Sequence, residues 1–160
     1  MVPVVLNPLN TQLLYTGGNV LCTYNMATKK WGYSPNNGST LTKGSIMCIG
    51  VAPSDGATIY TGADDGQIWR TPDSGAHWSK ISNSGLPNRV INGIVVNPTN
   101  PNSILVALSG FGQNGARLDH IWACNDTSAS TPVWTSLSTQ ASGLPDIPVT
   151  TIALDPLQPN

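Results

Sequence analysis

Residues 46–78 read IMCIGVAPSDGATIYTGADDGQIWRTPDSGAHW. Runs rich in Ile, Val, Tyr, Thr and Trp alternate here with short clusters of Gly, Pro, Asp and Ser. The first group favours a pleated strand and the second favours turn backbone, so the stretch predicts short strands joined by tight turns. Outward from it, the same pieces recur in the same order. Pro53 has counterparts at Pro8 and Pro98, each 45 residues away, and at Pro156, 58 residues beyond Pro98. TIYTGA (58–63) matches LLYTGG (13–18) and SILVAL (103–108), which aligns Tyr15 with Tyr60. GQIWRTPD (66–73) matches NVLCTYN (19–25) and DHIWACND (119–126), and the units close on Trp31, Trp78 and Trp134.

Each unit therefore predicts four short strands. The proline sits just outside the first, where its missing N–H costs no ladder hydrogen bond. A period near 45 with four strands predicts a β-propeller blade, and helical periodicity is absent. The expected architecture is all-β and spans 1–160 as a single partial propeller. Its four-stranded antiparallel blades cover approximately 1–44, 45–89 and 90–148. Residues 149–160 then open a further blade or exchange a strand with a neighbour.

Composition narrows the function. Charged residues make up 9% of the 160 and the net charge is −1, so there is no basic field for nucleic acid or for an anionic membrane surface. No run of 18 apolar residues predicts a membrane span. Cys22, Cys48 and Cys124 lie far apart, without a CxxC pair or a companion His cluster. Neither a metal site nor a cofactor is expected, while free thiols and one disulfide both stay open. No leader is legible, since Met1 runs directly into a strand-like segment; the chain reads as cytosolic, a mature form or a fragment. Polarity carried by Ser, Thr, Asn, Gln and Gly favours an extracellular or periplasmic setting.

TPDSGAHW (71–78) falls at the third-to-fourth strand connection. Asp73 can accept backbone N–H groups, Gly75 can take positive φ, Thr71 offers a hydroxyl, and Trp78 can bury its ring on a neighbouring blade. The stretch resembles the Asp box, S/T-x-D-x-G-x-S/T-W, of the BNR repeat families. Thr71, Asp73, Gly75 and Trp78 match, and His77 replaces the usual Ser or Thr. The third unit keeps Asp126 and Trp134, and the first keeps Asn25 and Trp31. Families with this lattice include sialidases, sortilin-type receptors, a photosystem assembly factor and xyloglucan-type glycoside hydrolases. The resemblance implies a structural box on the face opposite the ligand.

Chemistry is expected on the other rim, at the second-to-third turns and the connections between blades. YTGADDG (60–66) resembles the stretch that carries a catalytic Asp in the xyloglucan-type hydrolases, which places Asp64 on that position. Glycoside hydrolysis needs two carboxyl groups, and one candidate is visible. The plainer reading makes Asp64 a turn residue, with Asp65 capping the connection; on the functional reading Asp65 joins the ligand-binding candidates of this rim. The loop SGFGQNGARLDH (109–120) would suit a sugar through Phe111 stacking and polar contacts from Gln113, Asn114, Arg117 and Asp119. Its plainer reading is a Gly-rich loop packed on its own blade. Arg70, Arg89 and Arg117 do not occupy equivalent positions, which disfavours the arginine triad of a sialidase. The expected function is a binding or structural scaffold module, non-catalytic by itself, whose partners are a polysaccharide or glycan, further blades or copies of itself. The alternatives are part of a glycoside hydrolase using Asp64, and a self-assembling subunit joined by strand exchange.

Overall fold

The computed structural model describes residues 2–35 and 39–155. Three antiparallel four-stranded sheets follow one another along the chain, each in simple sequence order. The first holds β1 (Val4–Leu6), β2 (Leu13–Gly17), β3 (Leu21–Asn25) and β4 (Lys30–Ser34). The second holds β5 (Ile46–Ala52), β6 (Asp55–Ala63), β7 (Ile68–Thr71) and β8 (Ser79–Lys80). The third holds β9 (Ile91–Val96), β10 (Ile104–Leu108), β11 (Ile121–Cys124) and β12 (Thr135–Ser136). The helical content of the described residues is one 3-10 turn, Gln140–Ser142.

The core lies between sheets, because both faces of the middle sheet are covered. Side chains alternate across a strand, so neighbours on one strand serve opposite seams. On β6, Ile59 packs with Tyr15, Leu21 and Leu41 toward the first sheet, while Tyr60 packs with Ile94, Ile104 and Val106 toward the third. On β5, Ile49 and Cys48 divide the same way. The second seam is tight at the backbone. A Cβ on Gly62 would lie 2.5 Å from Ile91 Cγ2, and one on Gly50 would lie 2.9 Å from Ile94 Cγ2.

Tyr15 and Tyr60 hold the same place: each sits on the second strand of its sheet, is fully buried, and faces the following sheet. Polar bonds tie the seams in both directions. Asn7 Nδ2 donates to the Gly56 carbonyl at 2.9 Å, and the Tyr60 hydroxyl donates to the Pro101 carbonyl at 2.7 Å. In the reverse sense, Trp78 Nε1 donates to Ser34 Oγ at 2.8 Å and Trp134 Nε1 to the Ile81 carbonyl at 3.2 Å. The three cysteines are free thiols; Cys48 and Cys124 are buried.

The strand expected at 149–154 forms no ladder. Val149 N–H donates to the Leu108 carbonyl and Asn92 Nδ2 to the Val149 carbonyl, and Ile152 packs over Gly93. Ile152–Leu154 share a groove with Ile49, Val51, Ile94 and Val96, next to the first strands of the second and third sheets. The segment thus lies where the first strand of a further sheet would lie, and pairs with no strand among the described residues. Pro156, the last proline of the repeat, falls outside the described residues.

Candidate functional site

The second-to-third turns and the inter-sheet connections share one rim. In the second sheet the β6–β7 turn carries Asp64 and Asp65, and the connection 39–45 folds onto it. Asp64 is exposed, and its Oδ1 accepts Ser45 N–H at 2.8 Å. A Cβ on Gly44 would fall 1.7 Å from that oxygen, so a side chain there would displace the Asp64 carboxylate. Asp65 is more deeply committed. Its carboxylate accepts the Thr42 hydroxyl, Lys43 N–H at 3.2 Å, Gln67 N–H at 3.2 Å and Gln67 Nε2 at 3.1 Å. Partial burial works against its charge, but these donors, Thr42 foremost, outweigh it and hold the carboxyl below its ordinary range. These bonds tie the Asp65 carboxylate to both the β6–β7 turn and the 42–43 backbone.

Beside Asp65 runs an open groove of about 590 Å³, lined also by Gln67, Lys80, Ser84 and Asn88. Asn88 is exposed and Gly66 backs onto its amide, where a Cβ would sit 2.0 Å from Oδ1. Gly110 in turn abuts the Arg89 side chain, where a Cβ would sit 3.4 Å from Cδ. The 63–66 turn, the 82–90 connection and the 109–119 loop therefore form one continuous edge. Lys80, Ser84 and Asn88 were not expected from the sequence, because no motif marks them and the groove exists only once the β8–β9 connection folds back on the β6–β7 turn.

The 109–119 loop divides its expected ligand residues. Phe111, Gln113 and Asn114 are exposed, Phe111 at 60%. Arg117 and Asp119 are turned inward as braces. Arg117 donates from Nη2 to the Ser138 and Leu144 carbonyls and from Nε to Asp119 at 3.4 Å, and Asp119 also accepts the Ser136 hydroxyl at 2.8 Å. These two side chains are spent inside the protein.

A buried histidine paired with a partly exposed aspartate fixes the same loop. His120 is fully buried; its Nδ1 stands 3.1 Å from the Leu108 carbonyl and its Nε2 stands 2.8 Å from Asp146 Oδ1. A carbonyl can only accept, so the Leu108 contact suits a proton on Nδ1, with Nε2 facing the Asp146 carboxylate. Asp146 also accepts Gly112 N–H at 3.0 Å. The His120 bond first, with Gly112 and Leu118 N–H adding to it against partial burial, holds the Asp146 carboxyl below its ordinary range. No sequence spacing signals this pair, which is 26 residues apart.

The 71–78 turn lies on the opposite rim and is closed on itself. Thr71 Oγ1 donates to Asp73 Oδ1 at 2.8 Å and accepts Gly75 N–H at 2.8 Å. Asp73 also accepts His77 N–H at 2.9 Å and faces His77 Nδ1 at 2.6 Å. Those two His77 bonds, then Thr71, bring the Asp73 carboxyl down to about 2. Gly75 has φ +97° and its carbonyl accepts the Ser34 hydroxyl, which docks the turn on the first sheet.

The fold matches solved β-propellers. An ancestral GH74 enzyme superposes with a TM-score of 0.71 at 17% identity, over 96% of this chain and 20% of that one. The GH74 xyloglucanase from Xanthomonas campestris gives 0.59 at 14% identity, over 77% of this chain and 21% of that one. The extracellular domain of a protein described as a hybrid two-component system, from B. thetaiotaomicron, gives 0.64 at 19% identity, over 96% of this chain and 18% of that one. The chain thus spans about a fifth of each. At these identities the likeness establishes the fold: three blades of a propeller. No protein-family model and no curated protein matches the sequence.

Proposed function

We propose that the chain is an extracellular propeller module of the Asp-box kind that binds a polysaccharide along the edge formed by 63–66, 82–90 and 109–119, and does not hydrolyse it unaided. The commitment of the carboxylates on that edge carries the reading. Glycoside hydrolysis takes two carboxyl groups flanking the bond, roughly 5 to 9.5 Å apart. All eight acidic residues are aspartates. On this edge Asp65, Asp119 and Asp146 are partly buried and held by internal donors, whereas Asp64 accepts the single Ser45 N–H and is the acid of this edge that is exposed. One carboxylate cannot act as both acid and base across a glycosidic bond. What remains suits sugar hydroxyls: the polar ends of Asn88 and Ser84 in the groove, and the exposed Phe111, Gln113 and Asn114 of the 109–119 loop. The closed turn of Thr71, Asp73, Gly75 and Trp78 supports the Asp-box assignment. The low charge and the extracellular neighbour support the location.

A second reading makes Asp64 one of two catalytic carboxylates in a larger glycoside hydrolase. Its exposure on this edge favours it, as do the GH74 neighbours, one of them a xyloglucanase. Affinity electrophoresis in gels containing xyloglucan or β-glucan, with reducing-end release followed in parallel, decides between them. Binding without hydrolysis predicts retardation that Phe111→Ala and Asn88→Ala reduce, with no new reducing ends. Release that Asp64→Asn abolishes would hand the conclusion to the second reading. Unretarded wild-type protein would remove the binding reading.

A further inference from the structure

The two internal seams are built alike, and the outer faces of the first and third sheets carry the two unmatched halves of a third seam. Trp78 reaches back to Ser34, and Trp134 reaches back to Ile81. These acceptors are one site repeated. Ser34 pairs with Leu21, the first residue of β3, while Ile81 N–H donates to Ile68, the first residue of β7. In the third sheet the same place belongs to Leu137, whose N–H donates to Ile121 at the start of β11. No indole reaches Leu137. It is 48% exposed and lines an open cavity of about 350 Å³ together with Asn97, Leu105 and Leu154. At the other end Trp31, the indole of the first sheet, is 59% exposed and rests on Tyr24 at 4.9 Å between ring centroids.

The forward-reaching bonds leave a matching pair of ends. Asn7 and Tyr60 donate to Gly56 and Pro101, each three residues past the repeat proline of the next sheet. Asn97 repeats Asn7. Its Oδ1 accepts the N–H groups of Thr99 and Asn100 as that of Asn7 accepts those of Leu9 and Asn10. Asn97 borders the open cavity. The carbonyl that would stand opposite it, three residues past Pro8, is that of Thr11. Leu105 replaces the tyrosine of the other two sheets, so this face keeps an apolar seat without a hydroxyl.

We propose that the outer face of the third sheet is the docking seat for the first sheet of a second copy of this chain. The partner's Trp31 enters the cavity against the Leu137 strand end, and Asn97 donates to the partner's Thr11. Ile152–Leu154, which stand in the repeat where Val4–Leu6 stand, take the place of that short strand beside the partner's β2. Such a contact is heterologous, joining unlike faces, and it closes when the rotation allows. Two copies supply six sheets, within the four to eight at which propellers close.

Sedimentation velocity over a concentration series tests this with the whole chain. A concentration-dependent dimer is expected. Trp31→Ala and Leu137→Lys, both at exposed positions that the fold of one copy does not need, should each raise the dissociation constant at least about tenfold. Mixing the two variants gives the decisive reading. Each keeps one intact face, so the mixture should form a heterodimer through the single unaltered seam although neither variant dimerises alone. A wild type that stays monomeric at every concentration overturns the proposal. So does a dimer that both substitutions leave unchanged, or a mixture that fails to restore association.

Discussion

The indole N–H of Trp134 donates to the carbonyl of Ile81 across 3.2 Å, in a different sheet and 53 residues earlier in the chain. The ring is buried in the seam between the second and third sheets. Truncation to Trp134→Ala removes that packing and should destabilise by about 3–5 kcal/mol. Trp134→Phe keeps most of the apolar area and loses the donor, for a cost of about 1 kcal/mol. Urea unfolding midpoints of the two variants, with unchanged slopes, check the order and the gap.

Gly75 and Gly115 both have positive φ, at +97° and +76°, but in different surroundings. A Cβ on Gly115 meets nothing within 4 Å, whereas one on Gly75 would lie 2.8 Å from Ser34 Oγ. Gly115→Ala should therefore cost only the backbone term, about 1 kcal/mol. Gly75→Ala adds displacement of Ser34 and should cost about twice as much. Thermal melts of the pair read the difference, and equal losses would mean that Ser34 moves freely.

Asp73 is depressed to about 2 by His77 and Thr71. Its folded value lies below its unfolded one, so its contribution is complete above the ordinary aspartate range, near 4. It is lost as pH falls toward 2. Asp146 is shifted in the same direction by His120. Asp73→Asn and Asp146→Asn should each flatten the fall in stability between pH 5 and about 2, measured by urea midpoints across that window. Carboxyl-carbon NMR titration of the wild type should show both residues titrating below the ordinary aspartate range.

Burial pushes the Cys48 thiol up to about 12, and burial raises Cys124 as well. The thiolate is the reactive form, so neither should react with a disulfide reagent in the folded protein. Cys22, partly exposed on β3, should react as a single equivalent. Three equivalents should appear only in denaturant. Early release of more than one would contradict the burial of Cys48 and Cys124.

The repeat was legible because the sheets solve the same problem with similar parts: a proline outside the first strand, a tyrosine on the second in the first two sheets with Leu105 in its place in the third, and a tryptophan at the fourth. Tyr15 and Tyr60 therefore align in space as they do in the sequence. The 71–78 turn was legible for a related reason, since Thr71, Asp73 and Gly75 bond within eight residues. The edge opposite was less so. Phe111 could be placed on the surface, but Arg117 could not be distinguished as a brace, because the Ser138 and Leu144 carbonyls that engage it come from a later connection. The His120–Asp146 pair and the groove at Asn88 depend on loops meeting across sheets, and local spacing carries no trace of such meetings. The segment 149–154 has the residue pattern of a strand, yet pairing needs a second strand beside it.

The direction of the tryptophan bonds matters for how the molecule is made. Trp78 and Trp134 each reach toward a sheet that precedes them in the chain. As the polypeptide emerges from a ribosome, amino end first, Ser34 and Ile81 leave the tunnel before the indoles that occupy them. For both indoles the lock is thus in position ahead of its key, and each seam can close as soon as its later sheet emerges, without waiting for the finished polypeptide.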